Sequence, residues 1–498
     1  MNTIKQLAGQ TLIYGLGTIA PKVLNFLLLT PFYTYIFGLS EYGIVTELYS
    51  YVALLMVVLT FGMETTFFRF ASTEKDKEKV YSTGALSLIT TSALFLVGVC
   101  FFLPEIASTI KYQEHPEYIL WLTIILSLDA IVSIPFARLR QENRAMRFSL
   151  IKIANISVNI IFNLLFFVYL PHLKDTGSDS ALLNFYNEDI GVGYAFIANL
   201  IATSFTCLLL IPEILKIKFS FDFVLYGRMI SYAYPLVIIG IAGMINEVSD
   251  KIMLKFLVSV PEGIADKGDY VQAIIGEYGA NTKIAVLMTL FIQMFKFAAE
   301  PFFFSQAKEK NANQTYADVM KYFVVFGLLI FLGVMLYLDI FKYFINEKFH
   351  GGLFVVPIIL AGNLFLGIFY NLSVWYKLKN ITKYGAIIAL IGASLTILIN
   401  VIFVPIFGYI ASAWGHFACY LSMMVISFYW GRHYLKIDYE IATISKFGLV
   451  AVVVFVISLF NTFDALFLRL AINTFLFVIF VGSVYIIDKR KILEIIKK

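Results

Sequence analysis

Apolar segments of membrane-spanning length follow one another along almost the whole chain, and no stretch between them is long enough for a soluble domain. A helix needs about 20 mostly apolar residues to cross the hydrocarbon core of a bilayer. Hydrophobic residues occupy 60% of the 498 positions and charged residues only 14%, far from the composition of an average soluble domain. The chain is therefore expected to work inside a membrane, either moving a solute across it or acting on a lipid.

The segments predict an all-α integral membrane protein with about 14 transmembrane helices. Helices are required because lipid cannot hydrogen-bond an open backbone, and the segments are too long for barrel strands. The last two segments are short and joined by a polar turn, so 12 or 13 spans is the alternative. The predicted spans are 10–37, 43–68, 80–103, 118–137, 150–170, 190–213, 229–257, 281–304, 318–340, 353–375, 383–404, 409–431, 446–461 and 465–487.

The basic residues predict the orientation of these helices, because cytoplasmic loops carry an excess of Lys and Arg. With the first residue inside, 27 of the 38 Lys and Arg residues fall on inner segments and 9 on outer segments, while Lys22 and Lys296 lie within spans. This distribution places both termini in the cytoplasm. It also explains the net charge of +5 without a nucleic-acid partner.

The chain contains signs of an internal repeat. Glu41–Gly43 recurs as Glu277–Gly279, 236 residues later, and Glu64 matches Glu300 at the same offset. The matched helices would run in the same direction, which is typical of parallel repeats that form two lobes around a central cleft. The predicted parts are a six-helix lobe over 1–228, a second over 229–445, and a helix pair with a basic cytoplasmic tail over 446–498.

Several local motifs resemble one family of bacterial exporters. They are, in chain order, Pro31–Gly38 leading into Glu41–Gly43, Phe61-Gly62 leading into Phe68-Arg69, Pro135–Asn143, Tyr234-Pro235 and Asp250-Lys251. On these motifs the chain resembles the polysaccharide transporter branch of the multidrug/oligosaccharidyl-lipid/polysaccharide (MOP) exporter superfamily. That branch includes the flippases of O-antigen and capsule repeat units.

The resemblance implies a MATE-like fold of two six-helix lobes and a transporter, not an enzyme. Members of this family move undecaprenyl-pyrophosphate-linked oligosaccharides across the bacterial inner (cytoplasmic) membrane by alternating access, for the synthesis of O-antigen, capsule or exopolysaccharide. The implied partners are the lipid-linked oligosaccharide and membrane lipid. A coupling ion (H+ or Na+) and the polysaccharide assembly machinery are further candidates.

Lys22 is the sharpest candidate for substrate binding. It follows Pro21 near the middle of the first span, where a charged group costs about 2.5–3.5 kcal/mol on insertion scales. A lipid pyrophosphate is a dianion or more, and a fixed ammonium in a dry cleft would attract it strongly. Related flippases carry basic residues in the first helix, which this position matches in kind. The alternative is a structural ion pair with a neighbouring helix.

Arg69 and Glu64 lie at the inner end of the second span. We expect Arg69 to mark the cytoplasmic entrance for the pyrophosphate, with ordinary inside-positive anchoring as the alternative. Glu64 is five residues away and does not share its helical face. It is a candidate for ion pairing or for coupling.

The seventh span carries Glu247, Asp250, Lys251 and Lys255 at spacings that place them along one helical face. Glu247 and Lys251 could neutralise one another. A span with this many charges cannot face lipid, so it lines the cleft or is broken there. The alternative is that its outer third lies among the headgroups.

The eighth span carries Lys296 and Glu300, four residues apart. They form either a self-neutralised pair or a cleft site where a proton or cation modulates Lys296. In the fourth span, Asp129 is a further coupling candidate. In the fifth, a stripe of Asn155, Asn159 and Asn163 indicates glue between helices or the lining of a cavity.

Other function classes make different demands. A cation-coupled multidrug or small-molecule exporter of the same fold would favour an acidic cavity, whereas Lys22 and Lys296 inside the membrane favour an anionic substrate.

A membrane glycosyltransferase, polymerase or ligase usually needs a large outer loop with acidic or histidine groups. The five histidines are scattered without ligand spacing and the three cysteines stand alone, so no metal or cofactor is expected. An ATP-driven pump is disfavoured because no phosphate-binding loop motif occurs.

Overall fold

The computed structural model describes residues 20–177, 180–307, 309, 311–379 and 381–496, except for the side chains of 300, 301 and 490–496. Within these ranges the chain is helical and contains no strand. It forms two compact units that are divided between Ile252 and Met253. The predicted boundaries of the lobes at 228 and 445 stay predictions.

Twelve helices in the described ranges are long and apolar enough to cross a membrane, which makes the chain a multi-pass membrane protein. Two more predicted spans correspond to shorter helices: 20–36 is the described part of the first, and Gly193–Leu209 occupies the sixth. Residues 10–19 of the first span lie outside the described ranges. Both segments of the last predicted hairpin are among the twelve, and a total of 14 stays a prediction.

The first unit is built from ten helices and most of an eleventh. They are α1 (20–36), α2 (Leu39–Thr60), α3 (Met63–Thr73), α4 (Lys77–Phe101), α5 (Leu103–Thr109), α6 (Pro116–Gln141), α7 (Ala145–Leu164), α8 (Leu170–Asp175), α9 (Gly193–Leu209), α10 (Ile211–Ile214) and α11 (Phe223–Leu257). A π-helical turn, Leu165–Tyr169, joins α7 to α8.

The second predicted span, 43–68, is broken into α2 and α3. Phe61 and Gly62 both adopt left-handed backbone conformations, with φ of 33° and 68°. Glycine fits this turn because it tolerates positive φ at little cost, and a Cβ at Gly62 would lie 3.2 Å from the Cβ of Leu236 on α11. The break places Glu64 in the first turn of α3.

A buried ion-pair cluster ties α7 to α10 at the end of unit 1 that the predicted orientation places in the cytoplasm. Glu213 is fully buried, and its two carboxylate oxygens lie 2.8 Å from guanidinium nitrogens of Arg144 and Arg147. The Tyr81 hydroxyl of α4 donates to the Glu213 carbonyl at 2.7 Å. These arginines were predicted to act as topology signals, and the structure adds a packing role.

Three further ion pairs close the same end of unit 1. Arg138 on α6 is bonded to Glu78 at 2.6 Å and to Glu142 at 2.7 Å. Lys79 lies 2.7 Å from Asp222, whose carboxylate also accepts a hydrogen bond from the backbone N–H of Leu225 at 2.9 Å. The bond from Lys79, with that from the backbone, holds the pKa of Asp222 below its usual value. Asp222 therefore caps the start of α11 as a carboxylate.

The second unit contains the end of α11 and ten further helices. They are α12 (Lys267–Ile284), α13 (Val286–Gln306), α14 (Ala312–Leu336), α15 (Leu338–Phe341), α16 (Val356–Leu372), α17 (Val374–Leu378), α18 (Lys383–Phe407), α19 (Tyr409–Tyr434), α20 (Ile441–Leu459) and α21 (Leu466–Ile496).

The C-terminal pair α20–α21 is tied to α14 by buried charges. Lys321 is fully buried, with its ammonium 2.6 Å from Asp488 of α21 and 3.6 Å from Glu440, just before α20. The Tyr322 hydroxyl donates to Asp488 at 3.1 Å. At Asp488 the backbone of α21 leaves helical geometry. The side chains of the predicted basic tail beyond Lys489 lie outside the described part of the chain.

The Glu213 cluster predicts a stability difference between buried and exposed ion pairs. We expect Glu213→Gln to lower the free energy of unfolding by about 2 kcal/mol, because two partly solvated guanidiniums lose their countercharge. The matched control is Glu188→Gln, which removes an exposed pair with Lys174 and should cost below about 1 kcal/mol. Denaturant unfolding in detergent, followed by tryptophan fluorescence, measures both. Equal losses in the two variants would contradict this assignment.

Candidate functional site

A polar cavity of about 380 Å³ lies within the first unit, among helices α2, α3, α6, α7 and α9. Nine of its thirteen lining residues have polar side chains, although the surrounding helices are apolar. Such groups are costly in hydrocarbon and are retained where they pair or meet water. The polar lining residues are Glu64, Asp129, Ser133, Arg140, Lys152, Asn155, Asn199, Thr203 and Thr206.

The cavity arises from helical spacing on three helices. Residues three, four or seven apart share a face of an α-helix, so polar side chains at these intervals form one stripe. The stripes are Asp129, Ser133 and Arg140 on α6, Lys152 and Asn155 on α7, and Asn199, Thr203 and Thr206 on α9.

Arg140 closes one side of the cavity. Its guanidinium is ion-paired with Glu64 on α3 and lies 4.8 Å from the ring centroid of Phe68. The break between α2 and α3 therefore positions the carboxylate that neutralises Arg140. An arginine in this setting can present two parallel N–H donors to a phosphate as well as to a carboxylate.

Lys152 and Asp129 face one another across the cavity. The ammonium of Lys152 lies 4.1 Å from the ring centroid of Phe136 and is attracted by the carboxylate of Asp129. The Thr203 hydroxyl donates to Asp129. The two acids of the lining thus offset its two bases, and an incoming oxyanion can take the place of either carboxylate.

The remaining polar groups are uncharged. Asn155 donates to the Thr206 hydroxyl at 2.9 Å, and Asn199 donates to the Tyr49 hydroxyl at 3.0 Å. Amides and hydroxyls that both donate and accept are suited to the hydroxyl groups of a sugar. The cavity wall can therefore bind a charged group of a ligand at its ionic side chains and the neutral polar groups of the same ligand at its amides and hydroxyls.

Lys22 lies close to this region. It is exposed on α1 and acts electrostatically on Lys152. Three of the predicted residues, Lys22, Glu64 and Asp129, thereby belong to one part of unit 1.

The asparagine stripe of α7 is divided between two environments. Asn155 lines the cavity, as described above. Asn163 is buried, accepts a hydrogen bond from the Tyr33 hydroxyl of α1 at 2.8 Å and donates to Asn159 at 2.9 Å. Asn159 and Asn163 therefore belong to the contact between α7 and α1, whereas Asn155 lines the cavity.

Other predicted residues lie away from the cavity lining. The guanidinium of Arg69 stacks 4.0 Å from the ring centroid of Tyr232. On α11, Lys251 pairs with Asp250 at 2.8 Å and reaches the backbone carbonyl of Glu247, not its carboxylate, at 3.4 Å. Lys255 is buried and belongs to the second unit.

The predicted pair of the eighth span is described only in part. The ammonium of Lys296 lies 4.6 Å from the ring centroid of Tyr370 on α16, within the second unit. The side chain of Glu300 lies outside the described part of the chain. The suggested Lys296–Glu300 pair stays a prediction.

Arg140, Lys152, Asn199 and Thr203 were missed as site residues. Arg140 and Lys152 were both assigned to a cytoplasmic segment. Arg140 lies beyond the end of the predicted span 118–137, and Lys152 lies at the very start of the predicted span 150–170. In the structure α6 continues to Gln141 and α7 begins at Ala145, so both cations lie on helices. The helical spacing of Asp129 and Arg140 was the available signal.

A larger cavity of about 560 Å³ lies in the second unit, between α20 and helices α14, α16 and α19. Its lining is almost entirely apolar and includes Leu328, Phe365 and Val452. It can contact a hydrocarbon chain, and no cationic side chain in its lining could pair with a pyrophosphate. Across the described ranges, no cluster of His, Cys, Asp and Glu has the arrangement of a metal site.

The sequence comparisons assign the chain to no family, whereas the comparison with solved structures identifies its fold. No family model matches the chain. No curated protein matches it either.

Solved structures do share its architecture. The inward-closed lipid II flippase MurJ superposes with a TM-score of 0.73 and 16% identity, covering 95% of this chain and 99% of that one. An inward-facing multidrug resistance MATE transporter of the MOP superfamily gives 0.62 and 13%, covering 88% and 96%. A point mutant of the Vibrio cholerae MATE transporter VcmN gives 0.56 and 11%, covering 87% and 97%. The chain is a multi-pass membrane protein with the fold of these MOP-superfamily transporters.

Proposed function

We propose that the protein is a flippase for undecaprenyl-pyrophosphate-linked oligosaccharide repeat units of a bacterial surface polysaccharide. It moves them across the cytoplasmic membrane by alternating access. The observation that carries the proposal is the polar cavity of unit 1, which is lined by Lys152 and by the partly exposed Arg140 and lies near Lys22. The fold similarity to a lipid II flippase supports a lipid-linked substrate.

The cations supply a path for the pyrophosphate. Arg69, exposed at the end of unit 1 that we assign to the cytoplasm, meets the headgroup first. Lys22 and Lys152 then hold it, while the carboxylate of Asp129 gives up part of its interaction with Lys152 to the incoming anion. This exchange limits the desolvation cost, because the ammonium of Lys152 keeps a negative partner throughout.

The uncharged part of the cavity accommodates sugars. Asn155, Asn199 and Thr203 offer donors and acceptors at its wall, and the Tyr49 hydroxyl lies beside Asn199. The polyprenyl tail stays in lipid, so the polar cavity does not have to contain it. Sugar selectivity then depends on the shape of the wall, not on any single residue.

A cation-coupled small-molecule exporter is the second candidate. It is favoured by the structural similarity to MATE transporters and by the two acids, Glu64 and Asp129, in the cavity. Such an exporter would bind organic cations at those acids. The two bases in the same wall argue for an anionic substrate instead.

A leaflet assay tests the proposed function. Purified protein in liposomes is given a labelled undecaprenyl-pyrophosphate oligosaccharide, with and without a membrane potential or an ion gradient. Protein-dependent movement between leaflets is the expected result. No movement under any condition, together with efflux of organic cations by the same preparation, would favour the exporter.

Lys22 is expected to be essential for this movement. Lys22→Gln removes the positive charge while keeping a similar length, so transport should be abolished with membrane insertion intact. Lys22→Arg keeps the charge and should retain part of the activity. The leaflet assay on stably inserted protein measures both, and normal transport by Lys22→Gln would remove its assigned role.

Lys152 is expected to bind substrate and not merely to balance Asp129. Lys152→Gln should slow transport at least about tenfold, the effect of losing one charge-assisted hydrogen bond. The double variant Asp129→Asn/Lys152→Gln removes both charges and should remain slow. Recovery of transport in the double variant would show that Lys152 is only a counter-ion. Lys174→Gln, at an exposed pair in the same unit, is the control and should transport normally.

A further inference from the structure

The apolar cavity of about 560 Å³ in the second unit follows its helices as a slot, which we call the apolar slot. Its lining residues extend from Ile441 to Val452 on α20, from Met320 to Phe331 on α14 and from Ala361 to Leu372 on α16. Each of these stretches rises about 16 Å, at about 1.5 Å per residue. One leaflet of the hydrocarbon core is about 15 Å thick. The slot is therefore about as long as one leaflet.

The polar groups of the lining are collected at one end of the slot. Among the described lining residues, only Tyr429, Tyr439 and Ser445 carry a polar side-chain group. Tyr429 lies near the end of α19, Tyr439 lies just before α20, and Ser445 lies in the second turn of α20. In the predicted orientation this end faces the cytoplasm. The opposite end is formed by apolar side chains such as Phe331 and Val452, so the slot has the polarity of a lipid along its length.

Arg432 places a positive charge beside the polar end. It follows Phe428 by four residues on the same face of α19, and its guanidinium lies 5.6 Å from the ring centroid of Phe428, which lines the slot. Arg432 is exposed, one helical turn beyond the lining. A guanidinium binds phosphate oxygens with two parallel N–H donors. The hydroxyls of Tyr429 and Ser445 can add neutral hydrogen bonds beside it.

The segment between α19 and α20 does not cancel this charge. It carries Lys436, Asp438 and Glu440. The carboxylate of Glu440 lies 3.6 Å from the ammonium of the buried Lys321, and the exposed Lys436 and Asp438 offset one another. The polar end of the slot is therefore positive through Arg432, which makes it complementary to an anionic headgroup.

Helix α20 leaves the slot open on its own side. A Cβ at Gly448, which lines the slot, would meet no described atom of a neighbouring helix within 4 Å. Of the 19 residues of α20 only Phe447, Ala451 and Val454 are buried. An apolar cavity of about 150 Å³ is enough to bind benzene, and the slot is more than three times larger. A hydrocarbon chain in this space would supply packing contacts that α20 otherwise lacks.

We propose that the apolar slot binds one anionic phospholipid of the cytoplasmic leaflet. One acyl chain lies between α20 and helices α14, α16 and α19, and the phosphate lies at Arg432. An acyl chain suits a slot that is one leaflet long, whereas an undecaprenyl chain is much longer than a leaflet is thick. The site does not depend on the proposed function, because it belongs to the second unit and the polar cavity belongs to the first.

Native mass spectrometry of the delipidated full-length protein tests the slot, with dipalmitoyl phosphatidylglycerol as the probe. Gly448→Leu should weaken binding of the first lipid at least about tenfold, because about two methylene groups of its chain lose their place. Leucine is a better helix former than glycine, so α20 itself is not weakened. Gly482→Leu on α21, where a Cβ is equally unobstructed, is the matched control and should bind normally. Wild-type affinity in Gly448→Leu would overturn the proposal.

The same titration tests the headgroup. Arg432→Gln should weaken binding of phosphatidylglycerol about tenfold, the effect of losing one charge-assisted hydrogen bond. It should also remove most of the preference over zwitterionic phosphatidylcholine. Lys383→Gln, at an exposed cation on α18, which does not line the slot, is the control. A preference that survives in Arg432→Gln would overturn the assigned phosphate site.

A photolabel locates the chain without any variant. Wild-type protein is placed in nanodiscs with phosphatidylglycerol that carries a diazirine at the end of one acyl chain, and labelled peptides are mapped. Labels are expected at the apolar end of the slot, around Phe331, Ala361 and Val452. Labels confined to lipid-facing residues such as Leu398 would overturn the proposal. Displacement of the slot labels by an equal amount of undecaprenyl phosphate would assign the slot to a polyprenyl chain, and the phospholipid assignment would fail.

Discussion

The cost of placing a charge in hydrocarbon governs how this chain packs. An uncompensated charge at the bilayer centre costs several kcal/mol, so helices that carry charges must meet others that carry partners. Lys321 and Asp488 bring the C-terminal pair onto α14 in this way. Within unit 1, Glu64 meets Arg140 and Asp129 meets Lys152, which leaves a polar cavity in an otherwise apolar unit. The same requirement that holds these helices together also creates the space for a substrate.

The membrane spans could be predicted closely because apolar length follows directly from bilayer thickness. The break at Phe61 and Gly62 could not, since hydropathy carries no information about a left-handed backbone. Nor could a count of basic residues show that Arg144 pairs with the buried carboxylate of Glu213. Partners in ion pairs depend on which helices are neighbours, and a single sequence does not contain that information.

The candidate site was predicted in part for the same reasons. Asp129 and Asn155 stood out as polar groups in apolar spans, and the structure places both on the cavity wall. Arg140 was overlooked because α6 extends beyond the predicted span 118–137. Lys152 was overlooked because it lies at the start of the predicted span 150–170 and was counted with the cytoplasmic basic residues. Helix ends are where hydropathy is least informative. Cations at such ends can belong either to a loop or to a site.

The buried cluster around Glu213 has a consequence for how the chain is made. Arg144 and Arg147 precede Glu213 by 69 and 66 residues, so they leave the ribosome well before their partner. Until α9 and α10 arrive, both arginines lack the buried carboxylate of Glu213 and remain hydrated, which is the state in which basic residues resist translocation. The same side chains can thus orient the early helices during insertion and lock the later ones in place afterwards. Docking of α7 against α10 is then necessarily a late step in biogenesis.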